Sequence, residues 1–378
     1  MRFIFATGFV YFAICSTVLA QNDVDALQNF KAKLQQLSDD DHAVGIEIYI
    51  TQGERQLLHE TFGWQDRNKQ TKMRKNAIYN IRSMTKPMGG TIVQKLIDQG
   101  KLKLDDPVSK FLPSFNNEKS RDITIEQCLL HRAGYEQGPP GRPWRTYGKL
   151  IDVADYWGKT GPTLPVGKQW SYADAHADIV AAVAEKVTAK SAKELLNEYI
   201  FQPLDLKHTF AAWTDDKKII EQIAPLYRGS KGNWNRIWIP SDGALYPFTM
   251  YSQSVYSNVQ DYSKYIRNYM SGRTNAIVSS KGIQRSFANR QAVNLPPGFF
   301  PIGEGKRLCY GHLWGFAIDP DSKSDQPYVI MHTGSDGTAS YAFPDLDLVI
   351  IVMTQSRGTG VLPMIETAIN KHLLPQVK

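Results

Sequence analysis

Cysteine is almost missing from this chain. Its three thiols, Cys15, Cys128 and Cys309, are too few for a disulfide framework. Cys15 falls in an N-terminal apolar leader and Cys128 in an apolar helical stretch, so Cys128 and Cys309 are expected as separate thiols with Cys128 buried. No five basic residues run together: the net charge of +7 is scattered, which argues against a nucleic-acid partner. Beyond the leader, no stretch reaches the roughly eighteen apolar residues that a bilayer span needs. His-x-His and His-Glu-x-x-His do not occur, so the common metallohydrolase patterns are excluded, and neither a metal nor another cofactor is expected. Gly-x-Ser-x-Gly is absent as well, and with it the nucleophile elbow of α/β-hydrolases.

What is present describes a soluble globular protein. The 378 residues suit one large or two interleaved domains, with 42% hydrophobic and 21% charged residues. Arg2, an apolar run from Phe3 to Ile14, and small residues from Ser16 to Ala20 read as an export signal over residues 1–20. Cleavage before Gln21 would deliver the protein to a periplasm or the medium. Ile14 stands where a lipid-modified cysteine needs a small predecessor, so a lipoprotein is not expected.

Periodicity gives the organisation. An amphipathic helix over Asp25 to Leu37 precedes alternating strands over Ala43 to Thr51 and Arg55 to Trp64, joined by a turn at Gly53. Helical patterns follow over Met84 to Gln99, Thr124 to His131, Ala175 to Thr188 and Lys193 to Phe201, with Thr124 and Gln127 placed as a capping box. Strands return at Leu313 to Ile318, Tyr328 to His332, Thr338 to Phe343 and Leu348 to Thr354, before a closing helix over Val361 to Leu374. Strands at both ends of a helical middle predict an α+β fold: a split antiparallel sheet domain flanked by helices, with an inserted helical domain. The divisions are 21–82 for the first part of the sheet domain, 83–300 for the helical domain and 301–378 for the second part. The proline-rich segment Gly138 to Pro165 and the segment Gly229 to Pro247 read as long loops near the junction.

Three short motifs carry chemistry. Ser83-Met84-Thr85-Lys86 is the one place where lysine follows serine by three positions. On a helix that spacing holds the Lys86 amine beside the Ser83 hydroxyl, and a lysine whose pKa burial lowers can take the serine proton. Tyr172, in Trp170-Ser171-Tyr172-Ala173-Asp174, enters an apolar helix and is placed to relay a proton if neighbouring cations favour its phenolate. His332-Thr333-Gly334-Ser335 ends a predicted strand; Gly334 lets a substrate lie against the strand, and the Ser335 N–H pairs with that of Ser83 as an oxyanion hole. Ser241-Asp242-Gly243 reads as a turn. Trp144, Tyr147, Tyr156, Trp157, Trp234, Trp238 and Tyr251 are candidates for the wall of an acyl or sugar pocket, although singly each is more often core.

Taken together, the motifs resemble the serine β-lactamase and penicillin-binding-protein-like superfamily, in the branch of class C β-lactamases and family VIII carboxylesterases. Supporting segments are Tyr79-Asn80-Ile81-Arg82, Ile123 to Gln127 followed by Leu129-Leu130-His131, and Phe343 to Val349 followed by Met353-Thr354-Gln355. The resemblance implies a β-lactamase/transpeptidase-like fold. It also implies Ser83 as nucleophile, Lys86 as its partner base, Tyr172 as general base and acid, and the Ser83 and Ser335 N–H groups as oxyanion hole.

Two departures bear on the substrate. Asp174 replaces the asparagine of the family's Tyr-x-Asn, and a carboxylate accepts but does not donate to a substrate carbonyl. His332 replaces the lysine of Lys-Thr-Gly and is a weaker anchor for a β-lactam carboxylate. Asp174, His332, Thr333 and Gly334 are the substrate-binding candidates. The expectation is an exported serine hydrolase, preferentially a carboxylesterase, acting on a small ester or amide; a β-lactamase or D-amino-acid peptidase, and a non-catalytic acyl-binding sensor, are the alternatives.

Overall fold

The computed structural model describes residues 27–137, 146–270, 276–295, 301–324, 326–358 and 360–377. The segment read as an export leader, residues 1–20, lies outside them. Eight strands form one sheet in the order Thr71–Lys72, Arg55–Asp66, Gly45–Gln52, Leu348–Thr354, Thr338–Phe343, Val329–Gly334, Gly315–Ile318 and Arg307–Tyr310. Every neighbouring pair is antiparallel. Residues from both ends of the described chain thus meet in the middle of the sheet, where Ile48 pairs with Val352 and Ile50 with Ile350.

The central strand Leu348–Thr354 is apolar almost throughout because both of its faces are covered. Leu348, Ile350 and Val352 pack with Ile46, Ile48 and Ile50 under the terminal helices, whose contributions include Phe30, Leu34 and Ile365. Val349, Ile351 and Met353 face the other way, into the larger core of the helical region. A strand buried on both sides loses the alternation that marks a half-exposed one.

At the centre of the helical region lies Lys86–Asp98, buried over most of its surface and packed on Asp174–Thr188. Gly89 and Gly90 admit other close neighbours of this helix: a Cβ at Gly89 would stand 2.7 Å from the Tyr251 side chain, and one at Gly90 2.6 Å from the His312 carbonyl oxygen. The Thr124–Gln127 capping box forms as the sequence predicts, starting the helix Ile125–Leu129. Cys128 and Cys309 are separate buried thiols. Among the described residues no helix is long and apolar enough to cross a membrane.

Two segments read as loops hold regular structure. Leu150–Thr160 is a helix that buries Leu150, Val153 and Ala154, inside the proline-rich segment whose residues 138–145 lie outside those described. Leu226–Ser230 and Asn233–Trp238 form a hairpin, extended by a parallel pairing of Ser356 with Tyr227. Pro162 and Pro165 lie just beyond the helix rather than within it, and the hairpin's alternation is carried by arginine, asparagine and tryptophan instead of aliphatics. The edge strand Arg307–Tyr310 and the helix Val259–Arg267 also escape a reading by aliphatic periodicity. The closing helix is regular over Val361–Ala368 and continues as a wider turn over Ile369–Leu373.

Under the sheet, the buried Glu366 carboxyl accepts from the Tyr341 hydroxyl at 2.5 Å and from the Ile302 N–H at 3.3 Å. Burial pushes its pKa up to about 7, against the lowering effect of those two donors. A folded-state pKa above the unfolded one makes the protonated acid a stabilising group below the usual carboxylate range, and that contribution disappears as pH rises through 7. Glu366→Gln should therefore lose less thermal stability than wild type between pH 5 and pH 8; identical slopes for the two proteins would contradict this.

Candidate active site

Ser83 sits on the tight turn Arg82–Thr85 that leads directly into the Lys86–Asp98 helix. Arg82, just before it, has φ of +50°, a backbone region that non-glycine residues rarely occupy. Its N–H donates to Asn80 Oδ1 at 3.2 Å. The turn leaves Ser83 partly exposed at the mouth of a cavity while Lys86, one turn on, is wholly buried.

The three N–H groups of Lys86 have three acceptors. Nζ donates to Ser83 Oγ at 3.1 Å, to Asp174 Oδ1 at 2.6 Å and to the Ser252 carbonyl at 3.0 Å. The Asp174 carboxylate and the Ser252 carbonyl can only accept, while the Ser83 hydroxyl can accept or donate. The expectation that burial lowers this amine's pKa is corrected here: burial does pull it down, but the Asp174 carboxylate and Tyr172 outweigh it, so its pKa rises. Asp174 is engaged through both carboxylate oxygens. Its Oδ1 holds Lys86, its Oδ2 accepts from Gln137 Nε2 at 3.1 Å, and its backbone N–H donates to Gln137 Oε1 at 2.8 Å. The carboxylate faces Lys86.

Tyr172 leads into the helix Asp174–Thr188, and its ring lies 4.8 Å from Lys86 Nζ. Burial raises its pKa more strongly than Lys86 and the Ser83 hydroxyl lower it, so the phenol stays protonated at rest. His131 holds this tyrosine from both sides: its carbonyl accepts the Ser171 N–H at 2.9 Å, its Nδ1 accepts the Ala173 N–H at 3.2 Å, and its ring stacks on Tyr172 at 4.6 Å.

His332 lines the cavity with both ring nitrogens engaged. Nδ1 lies 2.9 Å from the Thr333 carbonyl, which can only accept, so Nδ1 carries the proton and Nε2 accepts from the Tyr310 hydroxyl at 3.1 Å. Burial, then the charge of Lys86, pushes its pKa down to about 3. Thr333, Gly334 and Ser335 line the cavity beside Ser83. Among the described residues the Ser335 N–H has no hydrogen-bond partner. Gly334 is required where it is, because a Cβ there would stand 2.5 Å from the Ile81 carbonyl oxygen.

The cavity measures about 590 Å³. Away from Ser83 its surface is mainly apolar, from Val293, Leu308, Met331, Val361, Leu362 and Pro363. No lysine or arginine is among the described residues lining it. Trp170, Tyr172 and Tyr310 supply its aromatic surface. Of the aromatic candidates from the sequence, Trp144 lies outside the described residues and none of the others lines the cavity; Tyr251, for one, packs on Gly89 in the core. Gln137, Ser252, Tyr310 and His131 belong to the site without having been singled out for chemistry in the sequence, although His131 stands in one of the segments that carried the family resemblance.

A serine and a buried lysine at one helix start, a tyrosine at the entrance of the helix packed on it and a strand end beside them define a serine β-lactamase-fold site. The chain belongs to the Beta-lactamase family, whose model matches residues 30–373. Its relatives include protein flp of Staphylococcus aureus strain MW2, 28% identical over 194 residues, which are 50% of this chain and 39% of that protein. The putative penicillin-binding protein PbpX of Bacillus subtilis strain 168 is 25% identical over 78% of this chain and 71% of its own length. Among solved structures, EstCE1, a hydrolase with promiscuous acyltransferase activity, superposes with a TM-score of 0.75 at 19% identity, covering 92% of this chain and 99% of that one. FmtA from Staphylococcus aureus gives 0.70 at 21% identity over 93% and 90%.

If Asp174 is what keeps Lys86 charged, Asp174→Asn should let burial prevail and lower the lysine's titration midpoint. The ¹⁵N shift of Lys86 Nζ, followed with pH, should show an ammonium at pH 7 in wild type and an earlier loss of the proton in the variant. A neutral amine in wild type at pH 7 would contradict the assignment.

Proposed function

We propose that the protein is an exported serine hydrolase working through an acyl-enzyme on Ser83, with uncharged carboxylic esters as its preferred substrates. The observation that carries the reading is the Ser83–Lys86–Asp174 chain of contacts, opening on a mainly apolar cavity without a cation in its described lining.

In acylation, Ser83 Oγ attacks the ester carbonyl carbon. Its proton passes to Lys86 Nζ as Lys86 hands one to Asp174, so the amine is an ammonium again and the carboxyl is neutral. The Ser83 and Ser335 N–H groups take the charge that develops on the carbonyl oxygen; one such donor is worth about 3–4 kcal/mol of transition-state stabilisation. When the carbon–oxygen bond breaks, the departing alkoxide takes the Tyr172 hydroxyl proton. The ammonium beside it stabilises the phenolate, which recovers a proton from Asp174 through Lys86. Water then repeats the sequence in place of Ser83 and frees the acid.

A β-lactamase role asks more of this site than it offers. The anionic carboxylate of a β-lactam gains about 1.5–3 kcal/mol from a charge-assisted bond, and a neutral His332 with both ring nitrogens engaged forfeits it. A sensor that acylates once has no need of a complete proton path, so sustained product release separates it from the enzyme. The kcat/KM for a nitrophenyl ester should exceed that for a chromogenic cephalosporin, and His332→Lys should narrow the ratio by roughly ten- to hundredfold, the equivalent of one such bond. A wild type that prefers the cephalosporin would overturn the esterase reading; a single burst without turnover would favour the sensor.

A further inference from the structure

Arg82 immediately precedes Ser83, and Asp336 immediately follows Ser335. Their side chains meet: Arg82 Nε donates to Asp336 Oδ2, and the same guanidinium donates through its NH1 nitrogen to the Tyr246 hydroxyl. Only 7% and 1% of the two side chains are exposed. Neither residue lines the cavity, so neither is placed to touch a substrate.

Each partner is fixed from behind. The Tyr246 hydroxyl donates to Asn80 Oδ1 at 3.4 Å, the atom that also accepts the Arg82 N–H. The Asp336 carbonyl accepts from Thr354 Oγ1 at 2.6 Å and from the Ser356 N–H at 2.9 Å. Arg357 Nε lies 3.8 Å from the second carboxylate oxygen. Two further contacts join the same pair of turns: Thr338 Oγ1 donates to the Ile81 carbonyl at 3.2 Å, and Gly334 packs on Ile81 and Arg82.

A buried ion pair is a poor device for stability alone, since desolvation consumes most of its attraction and apolar residues of similar size serve as well. It is a good device for direction. A planar guanidinium pinned at two points, Nε on Asp336 and NH1 on Tyr246, fixes the carboxylate's direction, which an apolar contact does not. We infer that the Arg82–Asp336 pair is the positioning element of the oxyanion hole: it sets the separation and aim of the Ser83 and Ser335 N–H groups. The inference rests on the reading of Ser83 as the nucleophile. It also gives a use to the left-handed backbone of Arg82, the residue that joins the buried guanidinium to the cavity-lining Ser83.

The test compares an oxoester with its thionoester, because sulfur accepts weakly and sits farther from the carbonyl carbon, so a well-aimed hole favours oxygen. Asp336→Asn, Arg82→Lys and the double variant are each measured against wild type, with thermal melting recorded alongside. Misplacing the donors should lower kcat for the oxoester by about a hundredfold, the usual effect of losing one such donor, with KM little changed. The oxoester-to-thionoester ratio should fall at least about tenfold, and the double variant should be no worse than the worse single one. Where Asp336→Asn does not fold, Arg82→Lys, which keeps the buried charge, decides the question by the same ratio. Variants that melt earlier yet keep the wild-type kcat and ratio would make the pair merely structural and overturn the inference alone. A wild type that turns over no ester would overturn the esterase reading and this inference with it.

Discussion

One buried ammonium constrains the whole site. Lys86 is fully enclosed, and an unpaired charge in such a place costs several kcal/mol. Three segments far apart in sequence therefore have to converge on Nζ: the turn carrying Ser83, the helix start carrying Asp174, and the loop presenting the Ser252 carbonyl. Each is braced in turn. Asp174 opens a helix, where a negative charge is favoured by the backbone dipole, and Gln137 holds it from the side. Ser252 is held by Asp178, through both its N–H and its hydroxyl at 3.1 Å. Burial, reinforced by Asp174, pushes the Asp178 pKa up to about 7, so a second full negative charge beside the first is resisted.

That convergence explains why the site sits where the sheet meets the helical region. The turn Arg82–Thr85 carries the serine and the helix Lys86–Asp98 the lysine, while Ser335, the proposed oxyanion donor, comes from the turn after Val329–Gly334. Neither half makes the site alone. The fold recurs at low identity among proteins as different as a hydrolase with promiscuous acyltransferase activity and a D-stereospecific amidohydrolase, so it is the lining and the charges, not the scaffold, that select a substrate. In the proposed reading the selecting features here are the mainly apolar lining and a histidine with both ring nitrogens engaged.

What the sequence made legible was local. Ser83 and Lys86 share a helix face by spacing alone, the strands Thr338–Phe343 and Leu348–Thr354 agree with their alternation and apolar run, and the Thr124 capping box forms. What stayed hidden depends on partners distant in the chain. The direction of the Lys86 shift turns on Asp174, 88 positions away, and the bond from Arg82 to Asp336 spans 254 positions. No period within a helix or strand encodes either distance. His332 was placed correctly on its strand, but the loss of both ring nitrogens to Thr333 and Tyr310 needed the edge strand Arg307–Tyr310, which is too short and mixed to be read from pattern.

The central claim is that Ser83, activated through Lys86, carries a covalent acyl group. The most direct measurement is peptide mass spectrometry after brief reaction with an aryl phosphonate and, separately, after acid quenching during ester turnover. One adduct of the phosphonyl mass and one of the acyl mass, both on the peptide containing Ser83 and both absent from Ser83→Ala, are the expected result. Labelling that persists in Ser83→Ala, or an adduct on any other side chain of the wild type, would contradict it.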